Sequence, residues 1–509
     1  MKPEGKNPAK ELYQQLRQRS CEELWAQEVP RFDRAEEKER AARVGLVRAV
    51  GVVFSESGTD AQKQQAREWL RVLLQDPVEK IRRYAMAALP KLGAGEGDET
   101  ALLELLQRAE GERERKFLGQ TLEKIGGAAT LEEAASLGTR AEQKIKASVA
   151  RSTPTTIRLD RPLTDFAGLR IHLRGRRGLE SVVQEEAQAR LGKIARVAAV
   201  HPGLVILEPL KPFSLGDLYA LRCCGSVAFV PGATKHTDAL APLIASPLSR
   251  RVLQTFTAGP IRYRLDFTDK GHQRGAIHQL AAEVYRLCPE LLNDAREAPW
   301  AVEVHPSPEG FAVELTPRLS PDPRFAYRQQ DVPAASHPPL AASMARLAWK
   351  TAPRERETIW DPFCGSGLEL IECALLGGVK HIFGTDLSSE AIEITRRNLA
   401  AASLPAMPTT LHACDFRDYA QVPGLTPGAL SLVISNPPLG RRVPIADLRG
   451  LIGSLFSAAV TLLKPGGRLI FANPLRSDAV VPGLKLHSRQ KVDFGGFDCR
   501  LEVYTKTGE

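Results

Sequence analysis

The chain reads as a multidomain α/β protein. A helical domain is expected over residues 1–150, an α+β domain over 155–330, and a doubly wound, mainly parallel sheet over 335–509. Three observations predict this. Thr358-Ile359-Trp360 is a short apolar run, Asp361-Pro362-Phe363-Cys364-Gly365-Ser366-Gly367 a glycine turn, and Leu368 to Leu376 a helical pattern, the strand–turn–helix order of an open α/β sheet. Residues 8–150 offer one helical pattern after another. Residues 155–330 alternate β-type runs with helical ones.

A chain of 509 residues has room for three or four domains, each with its own core. Hydrophobic residues at 43% and charged residues at 25% are ordinary for a soluble protein. No apolar run reaches the length of a membrane span, and Met1 to Lys6 leads into no signal-peptide core, so the expected location is the cytoplasm. Eight cysteines are scattered without a C-x-x-C pair or histidines at ligand spacing, which predicts reduced, buried thiols and no metal. Cys364 has no sequence neighbour to activate it and is read as packing. The net charge of +9 concentrates in residues 151–330. That bias suits a polyanionic partner and equally a plain solvated surface.

In the helical domain, Asp76 is placed as a cap, Pro77 at the first helical position, and Gly93 at the close. The segment Asp76 to Gly93 resembles the second helix of a HEAT repeat. A weaker echo runs from Glu114 to Gly126, at an interval short for that repeat, and an irregular helical bundle is the alternative. Either arrangement makes an interaction module, so a protein partner is expected there.

After a linker at 151–156, Leu169 to Arg174 reads as a strand, Gly178-Leu179-Glu180 as a turn, and the residues through Glu186 as the start of a helix. Arg174, Arg176 and Arg177 flank that turn, either as phosphate contacts or as solvated surface. Pro260 to Phe267 alternates as a strand with Arg262 and Arg264 on one face, either an RNA-backbone contact or ordinary sheet surface. Ile277 to Leu287 is expected as a helix, and 301–304 with 311–315 as a hairpin.

Past the glycine turn, Lys380 to Asp386 is a strand ending in a carboxylate, where nucleotide-binding sheets place an acceptor for ribose hydroxyls. Leu370 stands where a dinucleotide fingerprint needs its third glycine, and no phosphate-binding loop is present. A ligand with ribose but no phosphate therefore fits best. Ser388 is placed as the cap of the next helix. His412 to Phe416 ends a further strand through Cys414-Asp415, and Lys464 to Phe471 gives a late turn and strand. Ala429 to Ser435 reads as a buried strand running into Asn436-Pro437-Pro438-Leu439-Gly440. Two prolines stiffen this turn, so the Asn436 amide and the Pro437 carbonyl can aim at one point, as acceptors for a substrate amine.

Together these segments resemble the S-adenosylmethionine-dependent methyltransferases of exocyclic nucleobase amines. The closer resemblance is to the THUMP-containing RNA guanine-N2 methyltransferases acting on tRNA and large-subunit rRNA. It is strong over 335–475, weaker over 155–330 and absent before. It implies a ferredoxin-like and THUMP-like middle, a Rossmann-like class I methyltransferase domain, S-adenosyl-L-methionine as cofactor, and structured RNA, rRNA or tRNA, as partner. On this resemblance Asp361, Phe363, Gly365, Gly367, Asp386, Leu387, Asp415 and Phe416 hold the cofactor, with Asp415 on the adenine amino group. Asn436, Pro437, Pro438 and Leu439 form the catalytic turn, and the segment from His337 to Ala348 leads into the domain, with His337 as a turn or cap residue. One departure stands out. The family follows Asn-Pro-Pro with an aromatic that stacks on the flipped base, and Leu439 gives up most of that stacking, on the order of 1–3 kcal/mol. Arg441 and Arg442 then either stack on the base or face solvent. Two other readings stay open: an RNA-binding or assembly protein with this fold and weakened catalysis, and an adenine-N6 or DNA methyltransferase sharing the turn.

Overall fold

The computed structural model describes residues 8–93, 96–109, 111–127, 129–130, 145–146, 149–150, 153–268, 274–296, 298–307, 310–333, 335–350, 356–440, 445–475 and 480–508. The chain divides into two compact units. One is Met1–Thr156 with Leu240–Ala245 and Thr257–Pro299; the other is Ile157–Ala239 with Ser246–Phe256 and Trp300–Glu509. The stretch 155–330, expected as one domain, is shared between them. Short apolar runs join whichever core is nearest in space, and chain order does not record that.

The first unit is helical through Ile125, with helices at Gly45–Ser57, Asp60–Leu73, Glu79–Ala88 and Glu112–Ile125 among others. Its core gathers Leu24, Phe32, Phe54, Leu70, Met86 and Leu118 around Trp69, whose indole N–H donates to Asp33 over 3.0 Å. Gly51 sits where a Cβ would lie 2.6 Å from that of Ala88, so the helices carrying them meet at backbone distance. The helix expected to open at Pro77 opens at Glu79 instead. Asp76 accepts the Val78 N–H ahead of it and pairs with Arg40, forming a turn before the helix rather than its cap. The strand Arg262–Phe267 and the helix Arg274–Leu287 also belong to this unit.

The second unit holds two large sheets besides a short two-stranded pair, Pro162–Leu163 with Phe213–Ser214. The first includes β1 (Arg170–Arg174), β2 (Ala195–His201), β3 (Leu204–Pro209), β4 (Ser226–Thr234), β5 (Trp300–Ser307) and β6 (Gly310–Pro317). They run antiparallel in the order β5-β6-β4-β1-β3-β2, with α1 (Glu180–Leu191) following β1. The second sheet follows α2 (Pro338–Trp349) and takes β7 (Glu357–Asp361), α3 (Leu368–Leu375), β8 (Val379–Asp386), α4 (Ser389–Ala401) and β9 (Thr409–Ala413). It is completed by β10 (Leu430–Ser435), α5 (Leu448–Leu462), β11 (Leu463–Asn473), β12 (Leu484–Asp493) and β13 (Asp498–Lys506). Strand order is β9-β8-β7-β10-β11-β13-β12. β7, β8, β9, β10 and β11 are parallel, and β13 returns antiparallel to β11.

The chain winds outward from β7 through β8 to β9, then restarts at β10 on the other side. This reversal opens a crevice beyond the carboxyl ends of β7 and β10, the place where open α/β sheets bind ligands. The buried strand Leu430–Ser435, apolar but for its two serines, fits a centre covered on both faces.

The two sheets exchange charged side chains. Arg222, from the first, reaches Glu372 on α3 through Nε at 2.8 Å and Nη2 at 2.7 Å. Arg346, on α2, pairs in return with Glu186 of α1 at 2.9 Å. The Tyr327 hydroxyl donates to Glu372 over 2.6 Å. Both glutamates are buried.

Candidate active site

Asp361 ends β7 with its carboxylate fully buried. Its Oδ1 accepts the Ser435 hydroxyl at 2.7 Å and the Phe363 N–H at 3.0 Å, tying the ends of β7 and β10 together. Its Oδ2 is buried with no hydrogen-bond partner. Burial, with the nearby Glu369 carboxylate, pushes its pKa well above the usual carboxylate range.

The glycine turn follows. Gly365 has φ +52° and donates its N–H to Asp386 Oδ2 over 3.0 Å. Asp386 Oδ1 accepts the Ser388 N–H at 3.0 Å, while the Ser388 hydroxyl caps α4. Asp386 is thus fixed from two sides at the edge of the cleft. Gly367 has φ +81°, and a Cβ there would lie 2.9 Å from Thr395 Cγ2. Backbone conformation and packing against α4 require that glycine, rather than room for a ligand.

Phe363 packs on Phe416 with ring centroids 4.8 Å apart. Phe416 is buried, whereas Leu387 is 77% exposed at the rim. Asp415 accepts the Arg417 N–H and Nε–H, each at 2.9 Å. Hydrogen bonds from the Arg417 side chain hold its pKa below the usual carboxylate range. Cys364 is buried against Thr395, and burial raises its pKa well above the ordinary thiol value.

Across the crevice, Asn436 Nδ2 donates to Ser336 Oγ over 2.9 Å, and Ser336 Oγ donates to Glu369 Oε1. This relay fixes the amide's orientation. Asn436 Oδ1 is left buried with no hydrogen-bond partner. A buried acceptor kept unpaired costs about 1–3 kcal/mol, so its position calls for a donor from a ligand. Neither Ser336 nor Glu369 stands out in the sequence: one lies 100 residues before Asn436, the other among the apolar residues of α3.

A cleft of about 1330 Å³ opens here, with Asp361 and Gly367 outside its lining. Asn436, Pro437, Pro438 and Leu439 line it together with Phe363, Gly365, Asp386, Leu387, Asp415 and Phe416. Its volume exceeds the roughly 300–1,000 Å³ of an ordinary small-molecule pocket, leaving room for a second ligand. Arg176, Arg328 and His337 also line it. His337 stands at the N-cap of α2, and burial, with Arg176, Arg328 and Arg324, lowers its pKa to about 4.

The arginine expectations divide. Arg262 is buried and paired with Asp294 at 3.3 Å, so it does not offer a face to RNA. An alternating strand pattern cannot reveal that one side of it is covered. Arg264 is exposed and pairs with Asp266 at 2.7 Å. Arg441 and Arg442 lie outside the described residues.

Residues 326–480 match the model of the RMKL-like methyltransferase domain. This is a methyltransferase domain, of the class that uses S-adenosylmethionine as methyl donor. Relatives share only part of the chain. The ribosomal RNA large subunit methyltransferase K/L of Syntrophotalea carbinolica is 26% identical over 222 residues, covering 35% of this chain and 31% of that protein. The rRNA N(6)-adenosine-methyltransferase metl-5 of Caenorhabditis elegans is 23% identical over 164 residues, 32% of this chain and 72% of that protein. This chain therefore spans about a third of the first relative's length. Among solved structures, TrmN from Thermus thermophilus matches with a TM-score of 0.52 at 20% identity, over 66% of this chain and 99% of that one. That likeness shows a shared fold. The methyltransferase domain's strands β7 to β11 and its cleft fall wholly within the second unit. Among the described residues, no helix is long and apolar enough to cross a membrane.

Proposed function

We propose that the protein transfers a methyl group from S-adenosylmethionine to an exocyclic amino group of a base in structured RNA, guanine N2 in rRNA or tRNA being the favoured target. The observation that carries this is the buried, unpartnered Asn436 Oδ1, held in place by Ser336 and Glu369. An amine must shed hydrogen as it attacks, and an acceptor already aimed and desolvated stabilises that charge without reorganising. The Pro437 carbonyl is the second proposed acceptor.

The cofactor supplies an electrophilic methyl on a sulfonium, so the protein's work is to bind and align. The cleft's donor set fits it: Asp386 for the ribose hydroxyls, the Asp361 edge and Gly365 backbone for the amino-acid end, and the Phe363–Phe416 pair against the adenine. Leu387 lines the rim of that pocket. Asp415, whose carboxylate already serves Arg417, has lone pairs left for the adenine amino group. For Gly367 the proposed role is to set the turn rather than to touch the cofactor. The antiparallel sheet is proposed as the ferredoxin-like part of a THUMP-type RNA-binding module, and the HEAT-like helices as a surface for a protein partner.

Adenine N6 is the second reading, favoured by the metl-5 relative. Both can be tested in one assay. Labelled S-adenosylmethionine is incubated with RNA from a strain lacking the gene, and the nucleosides are separated by mass spectrometry. N2-methylguanosine is the expected product; N6-methyladenosine would select the second reading. No label in any nucleoside would leave the non-catalytic RNA-binding role.

A further inference from the structure

We infer that the turn Phe494-Gly495-Gly496-Phe497, between β12 and β13, is the stacking platform for the target base, in place of the aromatic missing at Leu439. This rests on the methyl-transfer reading above. Both phenylalanines line the same cleft as Asn436 and Leu439. Their rings stand 6.1 Å apart, both half-buried and outside the core beneath the second sheet.

The turn is built to hold those rings still. Phe494 N–H donates to Phe497 O over 2.8 Å, and Asp493 Oδ1 accepts the N–H groups of Gly495 at 2.9 Å and Gly496 at 3.1 Å. Both glycines have positive φ, +94° and +89°, which the tight reversal demands. The neighbouring sheet clamps it further. Asp493 N–H donates to Arg177 O over 3.0 Å, and Arg176 Nη1 donates to Asp493 O over 2.9 Å. A Cβ on Gly178 would come within 1.9 Å of Lys491 O, so the two backbones touch. Half-buried rings on a pinned turn lose little freedom when they bind, which suits a surface that must present an aromatic face.

A base splayed from RNA is recognised mainly by stacking, with cations nearby for its phosphate. The Arg176 guanidinium lies over the Phe494 ring, 6.0 Å from its centroid, with Nη1 on Asp493 O, and lines the cleft, so a positive charge stands beside the platform. The cleft has room for a base beside the cofactor. Phe494 and Phe497 thus give the ligand face that Leu439 withholds, from a segment about 55 residues further along the chain.

The test compares wild type with Phe494→Leu/Phe497→Leu, which keeps apolar packing but removes the π faces, and with Phe494→Tyr/Phe497→Tyr, which keeps them. Transfer of tritiated methyl to RNA from a strain lacking the gene is measured beside S-adenosylmethionine affinity and melting temperature. The leucine pair is expected to lose about tenfold to a hundredfold in kcat/KM for RNA, with cofactor affinity and melting unchanged. The tyrosine pair should stay within a few-fold of wild type. Wild-type activity in the leucine pair, or parallel loss of cofactor affinity, would overturn the platform. A wild type that labels no RNA at all would instead bring down the methyl-transfer reading, and this inference with it.

Discussion

In the antiparallel sheet, Glu314 is fully buried and held at both carboxylate oxygens. Arg174 Nε lies 2.8 Å from Oε2, His172 Nδ1 2.7 Å from Oε1, and His305 Nε2 3.3 Å from Oε2. In the methyltransferase domain, Asn436 in the cleft lining and the fully buried Asp361 at the end of β7 are anchored through one end of the side chain, and each keeps a buried oxygen with no hydrogen-bond partner. Both regions bury charge or polarity inside one compact unit. Where both oxygens are hydrogen-bonded, the group stabilises architecture; where one is left open, it is free to take a donor. The contrast also reads the cluster Glu303, His305 and Glu314, whose ligand-type atoms lie within 4.8 Å of one another. The Arg174 guanidinium already sits on Glu314 and would oppose a cation, so we read the cluster as an ion-pair network.

Removing the open oxygen gives the largest expected effect. Asn436→Ala should cut methyl transfer by about a hundredfold to a thousandfold while calorimetry finds S-adenosylmethionine binding near wild type. Ser336→Ala should follow with a smaller loss, since it frees the amide to turn. If Asn436→Ala left turnover intact, the unpaired oxygen would have no part in catalysis.

Breaking the Glu314 network should instead cost stability. Burial raises the Glu314 pKa, but hydrogen bonds from His172 and Arg174 and the charges of Arg174 and His305 outweigh it and hold the value at about 2, against 4.5 for a free glutamate. The folded state therefore gains stability that is complete above about pH 4.5 and is lost as the pH falls through about 2. Glu314→Gln should be destabilised by roughly 3 kcal/mol at neutral pH, and the gap from wild type should close on acidification. Equal denaturation midpoints at pH 7 would remove Glu314 as a keystone of that sheet.

Asp386 tests the middle ground, because backbone amides hold it on two sides while its remaining lone pairs face the cleft. Asp386→Ala should weaken cofactor binding by about tenfold or more, since charged hydrogen bonds contribute about 1.5–3 kcal/mol each. A folded variant with unchanged affinity would leave it a purely structural turn residue.

What could be read from the chain follows the range of the interactions. Asp361, Gly365, Asp386 and Asn436 sit at strand ends, where an apolar run stops and a special residue follows, and the sheet's order brings them to one crevice. Ser336 and Glu369 gave no such signal, because their meaning comes from Asn436, a partner distant in sequence. The Phe494–Phe497 turn carries no motif of its own; what marks its rings is the cleft they line with residues distant in the chain. Arg262 misled for a related reason: period-two alternation marks a strand, but which face is covered depends on Asp294, from another segment.

The exchange of Arg222 and Arg346 has a consequence for modularity. A gene fragment cut at residue 335 would carry Glu372 away from both Arg222 and Tyr327, stranding a buried carboxylate. The piece left behind would keep Glu186 without Arg346. Losing one member of such a buried pair costs about 3–5 kcal/mol, a large share of a domain's whole stability. The two sheets can be inherited, shuffled or expressed only as a pair, although the chain passes between them just once, between Pro317 and Glu357.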